Sequence, residues 1–190
     1  LFTSLFTSAW QISAIENYGQ DDTSSFYSTT YKFFNLFSLL ACSAIIIMSK
    51  LLGQILFAKE FFEAWIFVPP LLIANLFSGL SGFLASVYSS AKRTNILFIS
   101  TVSGAVINII ISYVLVLTIG TMGAAIGTML SFIVVWMVRL VIANKIIEIK
   151  IPVIRTILNY SFLLLQFIIM SYRIQYMYIF SVLIFLILIM

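Results

Sequence analysis

The residues of this sequence with the chemistry to act on a ligand are polar or charged side chains set inside long apolar stretches. Asn75 and Asn108 are amides, Lys50 and Arg139 are cations, and each has uncharged neighbours on both sides. An amide or a cation facing lipid is costly, so such residues mark either helix contacts or a hydrated path. All four are candidates for a substrate path, in which the two cations would attract an anionic substrate.

Each candidate also has a structural interpretation, and both interpretations stay open. Asn108 would bond to a neighbouring helix, while Lys50 and Arg139 would extend to the membrane interface. Small and polar residues recur every three or four positions and so share helix faces, which permits close packing. These faces are Asn75, Gly79, Gly82, Ser86 and Ser89; Ser100, Gly104, Asn108 and Ser112; and Gly123, Gly127 and Ser131.

Residues for catalysis or metal binding are scarce. The sequence has no histidine, one cysteine (Cys42) and six acidic residues, of which Asp21 and Asp22 form the only close pair. Metal sites in proteins draw on converging His, Cys, Asp and Glu side chains. We therefore expect no catalytic residue, no metal and no cofactor. The net charge of +4 comes from basic residues spread over helix ends, so we expect no nucleic-acid partner.

The composition indicates a helical membrane protein. Hydrophobic residues make up 63% of the chain and charged residues 8%, whereas a soluble domain carries about a quarter charged residues. A membrane β-barrel would show short segments of alternating polarity, but here the apolar runs are unbroken. We predict an all-α, polytopic integral membrane bundle.

The spacing of the charges predicts about seven transmembrane helices, the first and last incomplete. Gly120 and Gly123 supply the break in the longest uncharged run, since glycine readily takes turn conformations. Residues 17–32 are predicted to be a polar connection whose Tyr27 and Tyr31 approach the membrane surface. The predicted spans are 1–16, 33–52, 64–90, 96–118, 121–143, 156–172 and 174–190.

The distribution of Lys and Arg predicts the orientation. One side of the membrane holds Lys50, Lys59 and Arg173. The other side holds the larger group, which the positive-inside rule places in the cytoplasm. This group consists of Lys32, Lys92, Arg93, Arg139, Lys145, Lys150 and Arg155.

A series of short motifs resembles the C-terminal half of polysaccharide-biosynthesis flippases, over roughly residues 1–145. These are exporters of the O-antigen and teichoic-acid type, in the superfamily that also contains multidrug and toxic compound extrusion transporters. The motifs, in the same order and spacing, are Ala9-Trp10, Glu60 to Trp65, Val68 to Leu71, Ala91 to Thr94, Gly104 to Asn108 and Gly120 to Thr128.

The resemblance implies a two-lobe transporter of about 12 to 14 helices, of which this chain is a C-terminal portion. Residues 1–145 would be helices 8 to 12 of that protein, and 146–190 two additional helices. Pro69 and Pro70 match a proline near the outer start of the tenth helix and would bend it. With Gly104, Gly120, Gly123 and Gly127 they are the expected packing or hinge residues. The family's cavity charges map onto no residue here.

The resemblance also implies a function. The family flips lipid-linked oligosaccharides across the bacterial inner membrane by alternating access, with membrane lipids and polysaccharide assembly proteins as further partners. Three alternatives stay open. One is a cation-coupled multidrug exporter of the same superfamily, which would carry a carboxylate within the membrane. Another is a membrane glycan polymerase or transferase, which would need a large outer loop. The third is a purely structural membrane subunit.

Overall fold

The computed structural model describes residues 2–57, 59–171 and 177–189, and every regular element in these ranges is helical. Five helical stretches are long and apolar enough to cross a membrane. The chain is therefore an all-α, multi-pass membrane protein, as predicted. The elements are α1 (Phe2–Glu16), α2 (Thr23–Leu56), a 3₁₀ helix (Lys59–Phe67), α3 (Val68–Ser90), α4 (Thr94–Ile119), α5 (Met122–Asn144), α6 (Val153–Ser171) and α7 (Met177–Ile189).

The helix ends follow from the local sequence. Gly120 ends α4 with a positive φ of 68°, and its N–H donates to the Val116 carbonyl over 3.0 Å, so the predicted break is confirmed. Pro69 and Pro70 lie in the first turn of α3, where a helix needs no backbone N–H donor. They therefore stand where the 3₁₀ helix becomes α-helix. Their role as a hinge stays a prediction.

The predicted connection 17–32 is wrong over most of its length, because α2 already begins at Thr23. Tyr27 and Tyr31 are fully buried against other parts of the protein, and their approach to the membrane surface stays a prediction. The Tyr27 hydroxyl donates to the Ala14 carbonyl over 2.6 Å, and Tyr31 accepts a hydrogen bond of 2.9 Å from the Trp136 indole. Tertiary partners thus stabilise helix in a stretch that is polar by composition.

The chain divides into two compact units, each built from separate stretches of sequence. The first unit comprises Leu1–Asn35 and Ala74–Ile151, and the second Leu36–Ile73 and Pro152–Met190. The division at residue 145 that the resemblance implies concerns lobes of a larger transporter and stays a prediction. The orientation also stays a prediction, and Arg173, which enters it, lies outside the described residues.

An aromatic cluster forms one core of the first unit. The Trp10 ring stacks on the Phe83 ring at a centroid distance of 4.3 Å and on the Phe26 ring at 5.5 Å. The Phe34 ring also stacks on the Phe83 ring, at a centroid distance of 5.8 Å. These rings join α1, α2 and α3. Offset or edge contacts between aromatic rings stabilise the core beyond the effect of the apolar area that the rings bury.

Small residues bring α4 and α5 into close contact along their length. A Cβ added to Gly127 would lie 2.8 Å from the Ser112 Cα, and one added to Gly104 would overlap the Val135 side chain. A Cβ added to Gly123 would likewise overlap the Leu115 backbone. Membrane helices associate through such close packing, and these three glycines lie at the points of closest approach. The contacts also define the register of the two antiparallel helices.

Within the second unit, a buried polar pair joins α2 to α6. The Ser43 hydroxyl donates to the Gln166 side-chain oxygen over 2.7 Å, and the Gln166 amide donates back to the Ser43 carbonyl over 3.1 Å. Both side chains are fully buried. A reciprocal pair of this kind satisfies an amide that would otherwise face an apolar interior.

Replacing Gly127 with alanine is expected to lower the thermal unfolding temperature of the chain in detergent. Alanine is about 1 kcal/mol more favourable than glycine in a helix. A net loss of stability would therefore come from the clash between the new Cβ and Ser112. Overpacking of this kind costs about 1–3 kcal/mol. The exposed Ala124 on the same helix provides a control, since Ala124→Val should change stability little. An unchanged or higher unfolding temperature for Gly127→Ala would contradict the packing described.

Ser43→Ala and Gln166→Leu are each expected to cost about 1 kcal/mol in the free energy of unfolding, because each leaves a buried polar partner unpaired. The double variant should lose less than the sum of the two, which a double-mutant cycle in detergent measures. Ser161→Ala removes an exposed hydroxyl that bonds only within α6 and should have little effect. Strict additivity of the two substitutions would show that the pair is not coupled.

Candidate functional site

A buried arginine on α5 connects three helices of the first unit. Arg139 is 9% exposed. Its Nε donates to the Ser100 hydroxyl over 2.9 Å, its Nη2 to the Thr101 hydroxyl over 2.9 Å, and its Nη1 to the Ser81 carbonyl over 3.1 Å. The backbone carbonyl of Arg139 in turn accepts a hydrogen bond from the Tyr88 hydroxyl. The guanidinium therefore turns inward between α3 and α4, although it is near enough to the helix end to reach the interface.

The hydroxyl groups around Arg139 are oriented to accept. Ser100 and Thr101 both donate their protons to the Leu97 carbonyl, at 3.0 and 2.7 Å, which leaves their lone pairs for the guanidinium. All of these partners are neutral, and no carboxylate pairs with Arg139 in the part of the chain that the structure describes. A guanidinium carries five N–H donors, of which three are engaged here. Two donors and an uncompensated positive charge remain for a ligand.

Arg139 lines a partly open cavity of about 620 Å³ between α3, α4 and α5. Each helix contributes one face, because the lining residues recur at intervals of three and four. The register of α4 against α5 places Asn108 beside Ser131 and Ser100 near Arg139, so the cavity extends about 12 Å along the helices. Its lining is Ser78, Ser81, Gly82, Thr101, Gly104, Ala105, Asn108, Ile109, Ser131, Phe132, Val135 and Arg139.

Two further polar groups in the lining have unused hydrogen-bonding capacity. The Ser81 hydroxyl is buried and has no hydrogen-bond partner within the described residues. The Asn108 oxygen accepts from the Ser112 hydroxyl over 3.2 Å, within α4 and not across to another helix. That contact leaves the two donors of the Asn108 amide for the cavity. The buried hydroxyls of Ser171 and Ser181 are unsatisfied in the same way, so only the position of Ser81 beside the cavity sets it apart.

The structure brings together two of the four candidates taken from the sequence. Asn108 and Arg139 share the cavity, whereas Asn75 is exposed on α3 outside its lining. Lys50 belongs to the second unit, where its ammonium lies 6.0 Å from the centre of the Trp65 ring. This distance is at the limit of a cation–π contact, and it gives Lys50 a structural partner.

The sequence did not indicate Ser78, Ser81 or Thr101, which line the cavity together with Arg139. Ser78, Ser81 and Gly82 form the face of α3 that meets the cavity, at positions i, i+3 and i+4. The pattern was visible, but Asn75 and Gly79 begin a competing face on the same helix. Thr101 stands beside Ser100 and belongs to the same hydrogen-bonded group around Arg139. Which polar face of α3 meets the cavity depends on the positions of the neighbouring helices, and the sequence does not give those positions.

The arrangement is suited to binding an anion that also carries hydroxyl groups. The guanidinium fork matches the oxygens of a phosphate or carboxylate, and the amide and hydroxyls match neutral polar groups. Within the ranges that the structure covers, no three His, Cys, Asp or Glu side chains converge in a way that would hold a metal ion. Comparison of the chain with family models, with curated proteins and with solved structures gave no match.

A cysteine placed at Asn108 tests whether the cavity is hydrated and positive. In a Cys42→Ala background, Asn108→Cys is expected to react with an anionic methanethiosulfonate about fivefold faster than with a cationic one, relative to free cysteine, because of the Arg139 charge. Arg139→Gln should abolish this preference. Val106→Cys, exposed on the outer face of α4, should stay unreactive with both in a bilayer. Equal reaction rates with the two reagents at Asn108→Cys would contradict a positive cavity.

Proposed function

We propose that this chain is part of a membrane transporter that moves lipid-linked oligosaccharides across the cytoplasmic membrane of a bacterium. The observation that carries the proposal is a cavity within apolar helices whose mainly apolar lining includes polar side chains and a buried arginine, for which the described residues supply no counter-ion. A buried cation without a partner is costly, and an anion that binds beside it offsets part of that cost. The cavity therefore fits a cargo with an anionic group.

The cargo class follows from the mixture of groups in the cavity. Two free N–H donors of Arg139 can bind two oxygens of a phosphate group. The hydroxyl of Ser81 and the amide of Asn108 offer hydrogen bonds to sugar hydroxyls. Because the cavity is partly open, a lipid tail could remain in the bilayer while the polar head occupies the cavity. An amphiphile with a pyrophosphate and sugars combines these features.

The motif order that resembles polysaccharide-biosynthesis flippases supports the same proposal. It implies alternating access by a protein with a second lobe, and it implies polysaccharide assembly proteins as partners. The cation-coupled drug exporter is the second candidate. Its cargo is cationic, and a positive cavity would repel such a cargo. Of the described acidic side chains, Glu16 ends α1, Glu63 lies in the 3₁₀ helix, and Asp21, Asp22 and Glu148 lie in connections between helices.

Deleting the gene in its source organism is expected to abolish the surface polysaccharide and to raise the level of its lipid-linked precursors. Restoring the intact gene should reverse both changes. Arg139→Gln should fail to complement and Arg139→Lys should complement in part, because lysine keeps the charge but not the two-point geometry. If the deletion leaves both surface polysaccharide and precursors unchanged, the proposal is wrong.

Ser81→Ala provides a milder test, because the Ser81 hydroxyl has no partner to lose. The variant should fold and accumulate as the unmodified protein does, while flipping of the precursor in reconstituted vesicles slows by about two- to tenfold. Ser86→Ala is the matched control, since Ser86 is a buried serine on the same helix that bonds to the Phe83 carbonyl. Equal flipping rates for the two variants would remove Ser81 from the cargo site.

A further inference from the structure

A second, apolar groove lies on another face of the α4–α5 pair. It has a volume of about 170 Å³ and is lined largely by branched aliphatic side chains. Ile96, Ile99 and Ile107 come from α4, and Val134, Val138 and Ile142 from α5. Neither Arg139 nor Asn108 contributes to it, and the groove and the cavity that contains Arg139 lie on either side of the contact between Gly104 and Val135, which line both. Its apolar lining suits part of a flexible hydrocarbon chain.

Basic residues surround one end of this groove. Ile96 and Ile142 line the groove at the end where α4 begins and α5 finishes. Lys92 and Arg93 directly precede α4, and Lys145 directly follows α5. All three side chains are exposed, and none has a carboxylate partner among the residues for which the structure gives contacts. This end of the chain is the one that the distribution of charges places in the cytoplasm.

We propose that this groove and its basic rim bind an anionic phospholipid of the inner leaflet. The acyl chain would lie along the α4–α5 groove, with the phosphate between Lys92, Arg93 and Lys145. Basic residues at the membrane surface attract anionic lipids, and a groove between transmembrane helices restricts one chain to a defined position. The groove and the basic residues together define a binding site for one lipid, whereas basic residues alone would attract anionic lipids without fixing their position. The bound lipid would hold the inner end of the hairpin, whatever the polar cavity transports.

The test is native mass spectrometry of the purified chain in mixed micelles with phosphatidylglycerol and phosphatidylcholine of equal chain length. We expect one retained phosphatidylglycerol, preferred over phosphatidylcholine by about fivefold or more. The double substitution Lys92→Gln with Arg93→Gln should remove the preference. Lys32→Gln with Lys150→Gln is the matched control, because it deletes two exposed cations from the same side and should retain the preference.

Blocking the groove separates its contribution from that of the charges. Ser103 lines the groove and is exposed, so Ser103→Trp should fill it and lower the retained phosphatidylglycerol several-fold. Thr118→Trp places the same ring at an exposed position of α4 outside the groove and should have no effect. Equal loss with both pairs of charge substitutions, or no effect of Ser103→Trp, would overturn the proposal. Neither result depends on whether the protein flips oligosaccharides.

Discussion

A buried guanidinium with no carboxylate partner among the described residues is the constraint on which the first unit depends. An arginine at the centre of a membrane helix costs about 2.5–3.5 kcal/mol on insertion scales, and Arg139, near the C-terminal end of α5, bears a smaller cost. The side chain of Arg139 offsets part of this cost with three hydrogen bonds to neutral oxygens on two other helices. Those oxygens must meet at one point, and this requirement restricts how α3, α4 and α5 can pack.

Small residues make that arrangement sterically feasible. Lipid is as apolar as a leucine side chain, so the hydrophobic effect does not drive membrane helices to associate. Close packing between the helices drives their association instead. Gly104, Gly123 and Gly127 allow α5 to approach α4 along its whole length. On the far side of α3, the rings of Trp10 and Phe83 connect it to α1. The polar cavity is the space that remains where serine, glycine and alanine line the helices in place of larger side chains.

The sequence was informative about the helices because their length and apolarity follow directly from the thickness of a bilayer. It predicted the break at Gly120, where only a residue tolerant of positive φ ends α4 without strain. It misplaced the start of α2 because Tyr27 and Tyr31 look suited to an interface. Their burial depends on partners more than ten residues away, such as the Ala14 carbonyl and the Trp136 indole.

The site was predictable only in part, for a related reason. Polar residues in an apolar span can be recognised from the sequence, but the face that each one shares with a neighbouring helix cannot. Arg139 and Asn108 meet in one cavity, while Lys50 lies beside Trp65 in the other unit and Asn75 is exposed. Ser81 was overlooked because a single serine in a membrane helix carries no signal of its own. Its importance follows from its position beside the arginine.

The central claim is that the free donors of Arg139 bind an anionic head group. Solid-state NMR of the protein in bilayers, with labelled arginine and a polyprenyl pyrophosphate oligosaccharide, measures the distance between the guanidinium carbon and phosphorus directly. The account predicts dipolar dephasing that corresponds to about 4 Å, the separation of a guanidinium and a phosphate joined by two hydrogen bonds, and its loss in Arg139→Gln. Dephasing that is absent, or that persists in Arg139→Gln, would contradict it.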